Sequence, residues 1–160
     1  MEPIVILVGT MSGNAEMVAG ELVSKLKKSG HAAKSTDMSK CGPGTFAPEN
    51  LYIICTSTYG DGDVPDNATD FYGYLTTQKP DLTGIRYGVV GLGDRLYDAT
   101  FCNGGKRFDA ILTELGAVRL AERVDNDASS GRYPDEVALE WLPTWLEAAQ
   151  DVIPSEARSA

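Results

Sequence analysis

Short runs of apolar residues recur along the chain and indicate buried β-strands. Residues 4–8 read Ile-Val-Ile-Leu-Val, a continuous β-branched run that is typical of strands covered on both faces. Residues 51–56 and 85–92 are similarly apolar, and residues 32–36 and 118–124 form weaker candidates. The pattern therefore predicts five strands.

Helical patterns separate most of these runs. The apolar residues Val18, Leu22 and Leu26 recur at helical spacing. That helix follows Gly13 and ends at Gly30. Three further helices are predicted at residues 67–77, 104–115 and 134–150. The alternation of strands and helices predicts an α/β fold, with a parallel sheet and helices on both of its faces.

The composition fits one folded domain with a strong negative charge. The chain has 160 residues, of which 42% are hydrophobic, and its formal net charge is −9. A chain of this size is expected to form a single domain, 1–160. The acidic balance argues against nucleic-acid binding, which requires a basic surface. It suits docking to a basic partner protein, and acidity that serves solubility alone is an equally good explanation.

The cysteines and the amino-terminal residues favour a reducing compartment. Cys41, Cys55 and Cys102 form no CxxC pair, so we expect reduced thiols rather than a disulfide framework or a metal site. His31 is the single histidine, which excludes a multi-histidine metal centre. The apolar run at residues 4–8 is too short for a signal core or a membrane span. We therefore expect a cytoplasmic protein with no membrane partner.

The segment after the first strand has the donors of an anion site. Ligands of parallel α/β sheets bind beyond the carboxyl ends of the strands. The first loop, residues 10–16, offers the hydroxyls of Thr10 and Ser12, the amide of Asn14 and free backbone N–H groups at a helix start. It contains no Lys or Arg and matches neither GxGxxG nor the P-loop pattern. A single phosphate group therefore fits it better than a nucleoside triphosphate, and a simple helix cap at Ser12 is the alternative.

Two further segments each place a tyrosine beside glycines. The second loop, residues 56–68, contains Tyr59 next to Gly60, and the third loop, residues 91–105, contains Tyr97 after Gly93. Glycines permit backbone conformations that are closed to other residues. The two rings could sandwich a flat aromatic ligand, whereas each tyrosine taken alone is equally compatible with an ordinary turn.

The three loops together resemble those of flavodoxins. The runs that carry the resemblance are Thr-x-Ser-Gly-Asn-Ala-Glu, Ser-Thr-Tyr-Gly-Asp-Gly-Asp with Pro-Asp-Asn-Ala after it, and Gly-Leu-Gly-Asp with a following Tyr. They are most similar to the FMN domains of diflavin reductases of the cytochrome P450 reductase and sulfite reductase types and to short-chain flavodoxins of the MioC type. The resemblance implies a doubly wound sheet of five parallel strands in the order 2-1-3-4-5, of which flavodoxin is itself the standard example.

The resemblance also implies which residues hold FMN. The phosphate would be held by the first loop, through Thr10, Met11, Ser12, Gly13, Asn14 and Ala15. One side of the isoalloxazine ring would be lined by the second loop, through Ser57, Thr58, Tyr59, Gly60 and Gly62. The other side would be lined by the third loop, through Leu92, Gly93, Asp94 and Tyr97, with Phe101, Cys102 and Asn103 behind them.

The function implied by the resemblance is electron transfer through bound FMN, without a catalytic residue. The expected partners are a donor of the flavodoxin or ferredoxin reductase type and redox acceptor proteins, docked on the acidic surface of a monomer. Asp61, Asp63, Asp66 and Asp94 lie in the loops at the expected ring end and could contribute to that surface. Turn formation or helix capping is the alternative for each, and for Asp66, just before its helix, capping is the preferred interpretation.

Three alternative functions remain on the same fold class. A flavin-dependent NAD(P)H quinone or nitro reductase would need a nicotinamide site, and no segment of the sequence resembles one. A receiver-type signalling domain needs a phosphorylatable Asp after its third strand, whereas strand three here continues into Cys55, Thr56 and Ser57. A dinucleotide-binding module is disfavoured because GxGxxG is absent.

Overall fold

The computed structural model describes residues 3–10, 13–58, 64–93, 102–127 and 130–152. The strands are β1 (Ile4–Gly9), β2 (Ala33–Asp37), β3 (Leu51–Thr56), β4 (Arg86–Gly93), β5 (Val118–Arg119) and β6 (Val124–Asp127). The helices are α1 (Asn14–Lys28), α2 (Thr69–Gln78), α3 (Asn103–Glu114) and α4 (Pro134–Val152), with 3₁₀ turns at Met38–Lys40 and Asp66–Ala68. Within these ranges, none of the helices has the length and apolarity needed to cross a bilayer.

The strands pair in parallel and form one sheet. β1 lies between β2 and β3, and β4 pairs with the other side of β3. β5 and β6 both pair with the remaining edge of β4. The predicted strand order 2-1-3-4-5 is therefore confirmed. The carboxyl ends of β1, β3 and β4 lie side by side as a consequence.

The fifth strand is not the continuous element that the sequence predicts at residues 118–124. β5 pairs with the first two residues of β4, whereas the pairing of β6 begins at Val90. The N–H of Leu120 still donates to the carbonyl of Tyr87 at 2.9 Å, and residues 121–123 then leave the ladder. The edge is two short strands, and the sheet has six strands rather than five.

A pair of tryptophans on α4 gives a physical reason for this interruption. Trp141 and Trp145 stack with their ring centroids 5.9 Å apart. They cover β4 at Gly88, where an added Cβ would lie 2.3 Å from Nε1 of Trp145. The indole Nε1 of Trp141 donates a hydrogen bond of 2.9 Å to the carbonyl of Glu122. A backbone group that has left the ladder thereby regains a partner.

Two hydrophobic cores cover the two faces of the sheet. Side chains alternate along β1, so Ile4 and Ile6 pack with α1 and α4, whereas Val5 and Leu7 pack with α2 and α3. Every residue of β1 and β3 is buried. This burial explains the continuous apolar runs of these two strands, and it confirms helices on both faces. The helices leave the carboxyl ends of the strands uncovered, and the three loops that carry the candidate site residues begin there.

We predict that Gly88→Ala destabilises the protein, whereas Gly20→Ala does not. An alanine at Gly88 would press its Cβ to within 2.3 Å of Trp145 and 2.8 Å of Trp141. Overpacking of this kind costs about 1–3 kcal/mol. Gly20 lies on the exposed side of α1 with no atom within 4 Å of an added Cβ, so alanine there stabilises by about 0.5–1 kcal/mol. Urea unfolding measures the free energy of unfolding of both variants. Equal denaturation midpoints for the two variants would contradict the packing described.

Candidate functional site

Three loops leave adjacent strands at one edge of the sheet. Gly9 at the end of β1 pairs with Thr56 at the end of β3, and Thr56 pairs with Gly91 near the end of β4. The backbone N–H of Ser57 donates a 2.9 Å hydrogen bond to the carbonyl of Gly9. The first and second loops therefore begin in direct contact.

The first loop turns the chain directly into α1. Gly13 is the residue before the helix and has φ of +90°, a left-handed conformation that glycine adopts without steric cost. Its N–H donates to Oγ1 of Thr10 at 2.8 Å, which closes the turn. Gly13 has no side chain that could cap α1, and a Cβ there would meet no atom within 4 Å. The first-turn amides at Asn14 and Ala15 have no partner within the helix and lie at the positive end of its dipole.

A neutral thiol lies beneath this helix start. Cys55 of β3 is fully buried, and its Sγ contacts the carbonyl of Ala15 at 3.4 Å. Burial raises the pKa of Cys55 to about 12, so it remains protonated at neutral pH. The side chain therefore places no negative charge under an anion bound at α1.

The hydroxyl of Thr58 links the second loop to the third. Oγ1 of Thr58 donates to the carbonyl of Leu92 at 3.3 Å and accepts from the N–H of Gly104 at 2.9 Å. Leu92 lies near the beginning of the third loop, where β4 ends, and Gly104 lies near its other end, in the first turn of α3. Thr58 therefore fixes both ends of the third loop.

Close backbone contacts also require glycine at the ends of the third loop. A Cβ on Gly93 would lie 2.5 Å from the N atom of Cys102, and one on Gly104 would lie 2.2 Å from the carbonyl oxygen of Ser57. Cys102 precedes α3 with φ of 53° and is fully buried. Its Sγ contacts the carbonyl oxygen of Asn126 at 3.5 Å. A left-handed non-glycine residue is a strained feature that often occurs near functional sites.

Comparison with known proteins identifies the architecture. Residues 6–141 match the flavodoxin family, and this segment includes most of the first strand, all three loops and the first part of the last helix. The chain belongs to the flavodoxin family. The resemblance drawn from the three loops is therefore confirmed.

Flavodoxin relatives match over nearly the whole chain. Protein MioC of Escherichia coli O157:H7 is 35% identical over 91% of this chain and 97% of its own length. The sulfite reductase [NADPH] flavoprotein alpha-component of Aliivibrio fischeri is 38% identical over 97% of this chain, which corresponds to 25% of that longer protein. The solved structure of a cysteine-to-alanine mutant of flavodoxin from Pseudomonas aeruginosa superimposes with a TM-score of 0.80 at 30% identity, covering 91% of this chain and 97% of that one.

Membership of the flavodoxin family confirms the predicted cofactor and role: the chain is an FMN-binding electron-transfer protein. The start of α1 fits the phosphate of FMN. Among the described residues its donors are the backbone amides of the first turn of α1, Cys55 beneath it is neutral, and a Cβ on Gly13 would meet no atom within 4 Å. Among the described residues, no group of three or more His, Cys, Asp or Glu side chains could hold a metal ion.

The described parts of the three loops converge as the sequence predicts. The predicted site residues that the structure describes are Thr10, Gly13, Asn14, Ala15, Ser57, Thr58, Leu92, Gly93, Cys102 and Asn103. Those outside the described residues are Met11, Ser12, Tyr59, Gly60, Gly62, Asp94, Tyr97 and Phe101. The assignment of both sets to FMN stays a prediction, and so does the bracketing of the flavin ring by two tyrosines.

Sequence reasoning missed a buried ion network beside the third loop. Asp109 of α3 is 6% exposed and accepts hydrogen bonds from the Tyr87 hydroxyl at 2.6 Å, from Arg119 at 2.5 Å and from Arg123 at 2.7 Å. Arg123 also donates to Asp125 at 2.8 Å. The two arginines compensate the buried carboxylate, and Arg123 fixes the start of β6 against α3. The acidic residues and arginines are visible in the sequence. Their pairing is not, because it depends on the break between β5 and β6 at the sheet edge.

Sequence reasoning also missed Asn67 at the far end of the second loop. Its side chain bonds to Val8 and Thr10 of the first strand and its loop, and to Asp37 at the end of β2. The residue stands in the Pro-Asp-Asn-Ala run that carried part of the resemblance. Its partners are up to 59 residues away, so no local pattern indicates them.

Proposed function

We propose that the chain receives electrons from a reductase and passes them to acceptor proteins, with residues 1–160 forming one FMN-binding domain. The observation that supports this most is the meeting of three loops at the carboxyl ends of β1, β3 and β4, beside the start of α1. In doubly wound sheets, this edge at the change in strand order is where ligands bind.

The first loop holds the phosphate in this proposal. The amides of the first turn of α1, at Asn14 and Ala15, donate to its oxygens, and the helix dipole favours its charge. The hydrogen bond from Gly13 to Thr10 keeps the turn closed. Met11 and Ser12 belong to the same proposed set but lie outside the described residues.

The second and third loops orient the ring. FMN supplies the electron chemistry, and the protein supplies position and electrostatics. Ser57 and Thr58 lie on one side of the proposed ring site, and Leu92 and Gly93 lie on the other. The hydroxyl of Thr58 is engaged with backbone groups of the third loop, so its role is to set the separation of the two sides. The proposed set is completed by Tyr59, Gly60, Gly62, Asp94, Tyr97, Phe101, Cys102 and Asn103.

The negative charge supports docking to basic partner proteins. A net charge of −9 on 160 residues produces a potential that attracts cationic surfaces and speeds encounter. The proposed partners are a reductase of the flavodoxin or ferredoxin type and redox acceptor proteins, met by a cytoplasmic monomer. A flavin-dependent NAD(P)H quinone or nitro reductase is the alternative, and it predicts steady NADPH oxidation by the purified chain without a second protein.

We expect the purified protein to be yellow and to release one FMN per chain when it is denatured. The phosphate site should make the apoprotein prefer FMN over riboflavin, because only FMN offers a group for the start of α1. Chromatography of the released flavin and fluorescence titration of the apoprotein measure these properties. A colourless protein that does not quench FMN fluorescence would contradict the proposal.

We expect electron transfer to a basic protein acceptor to slow as salt is added. Screening shortens the Debye length from about 30 Å at 0.01 M ionic strength to about 8 Å at 0.15 M, so the steering by net charge weakens. The rate constant for reoxidation of the reduced protein by a basic cytochrome, measured by stopped flow, should fall at least several-fold over this range. An uncharged small quinone serves as the control, and equal salt dependence for both acceptors would reject the docking role.

A further inference from the structure

One side chain links the first loop to two other parts of the site edge. Oδ1 of Asn67 accepts from the N–H of Thr10 at 2.8 Å. Its Nδ2 donates to the carbonyl of Val8 at 3.0 Å and to Oδ1 of Asp37 at 2.9 Å. Asn67 therefore uses both of its amide hydrogens and its oxygen on residues of β1, the first loop and β2.

These contacts set the direction in which the chain leaves β1. The carbonyl of Val8 and the N–H of Thr10 flank the last residue of that strand. A single amide bridging both groups fixes the intervening peptide planes. Thr10 then accepts from the N–H of Gly13 through its own hydroxyl, at 2.8 Å. A continuous chain of hydrogen bonds thus runs from Asn67 through Thr10 to the residue that precedes α1.

Asp37 determines the orientation of the Asn67 amide. Its Oδ1 accepts from the backbone N–H of Ser39 at 2.8 Å as well as from Asn67. The hydrogen bond from Ser39 is the largest cause that lowers the pKa of Asp37, and that from Asn67 lowers it further. Asp37 is therefore a carboxylate at neutral pH. It can only accept, so the nitrogen of Asn67 faces Asp37 and its oxygen faces Thr10.

We propose that Asn67 is a positioning residue that holds the first loop in its phosphate-binding shape and so determines how strongly the chain prefers FMN over riboflavin. Asn67 does not contact the phosphate in this proposal. It acts through Thr10 and Gly13 on the backbone amides at the start of α1. The inference rests on the proposed placement of the phosphate at that helix start.

The preference for FMN is the property that separates this role from general support of the fold. FMN and riboflavin share the ring and the ribityl chain and differ only in the phosphate. A change that weakens the whole protein lowers the affinity for both. A change that disturbs the first loop lowers the affinity for FMN more, because the ring site between the second and third loops has its own link through Thr58.

The test uses Asn67→Asp, which has nearly the same shape. A carboxylate at this position still accepts from Thr10 but cannot donate to Val8, and it faces the charge of Asp37. We expect the ratio of FMN affinity to riboflavin affinity, measured by fluorescence titration of the apoprotein, to fall by about tenfold or more, because part-buried hydrogen-bond partners are left unpaired. Asn67→Ala, which removes all three hydrogen bonds, should show a fall of at least the same size.

The matched control is Asn50→Asp, which makes the same chemical change just before β3, at the other end of the sheet. Asn50 donates to the Tyr52 hydroxyl at 3.3 Å, and this variant should leave the ratio unchanged. Thermal melts of each apoprotein establish that the variants are folded. An unchanged ratio in either folded Asn67 variant would overturn the inference while the wild-type titration still supports the proposed function. A wild type that binds FMN no better than riboflavin would overturn the phosphate placement itself.

Discussion

Two side chains of the second loop, Thr58 and Asn67, connect the ends of three neighbouring strands. Parallel pairing brings the ends of β1, β3 and β4 together, but each chain loses its ladder partners where the strand ends. Thr58 supplies hydrogen bonds to the third loop on one side, and Asn67 supplies them to the first loop on the other. These bonds link the starts of α1 and α3 to the second loop that lies between them.

The charges around this edge suit an anionic cofactor. The start of α1 offers a positive dipole end with neutral donors, and the buried thiol of Cys55 beneath it stays protonated. The buried carboxylate of Asp109 is compensated by two arginines. The proposed phosphate site therefore stays favourable for an anion although the chain carries an excess of negative charge.

Strands that are buried on both faces were predictable from the sequence, because burial produces a continuous apolar run. Features that depend on contacts between residues far apart in the chain were not predictable. The apolar runs of β1 and β3 are continuous because both faces are covered, which is why their limits were predictable. Residues 118–124 carry a weaker apolar signal, and the strand predicted there is interrupted at residues 121–123, where Trp141 of α4 binds the carbonyl of Glu122. The site loops were recognisable from their residues. The hydrogen bonds of Asn67 were not, because they join positions 57 and 59 residues apart.

Amide hydrogen exchange in the FMN-free protein tests most directly whether the second loop organises the site before the cofactor binds. The N–H of Thr10 and that of Gly104 report on the two connections, because each donates to a side chain of this loop. We expect both to exchange at least about 100-fold more slowly than in an unstructured peptide, with little further change when FMN is added. Exchange of either amide at the unstructured rate until FMN binds would contradict a site that is already formed.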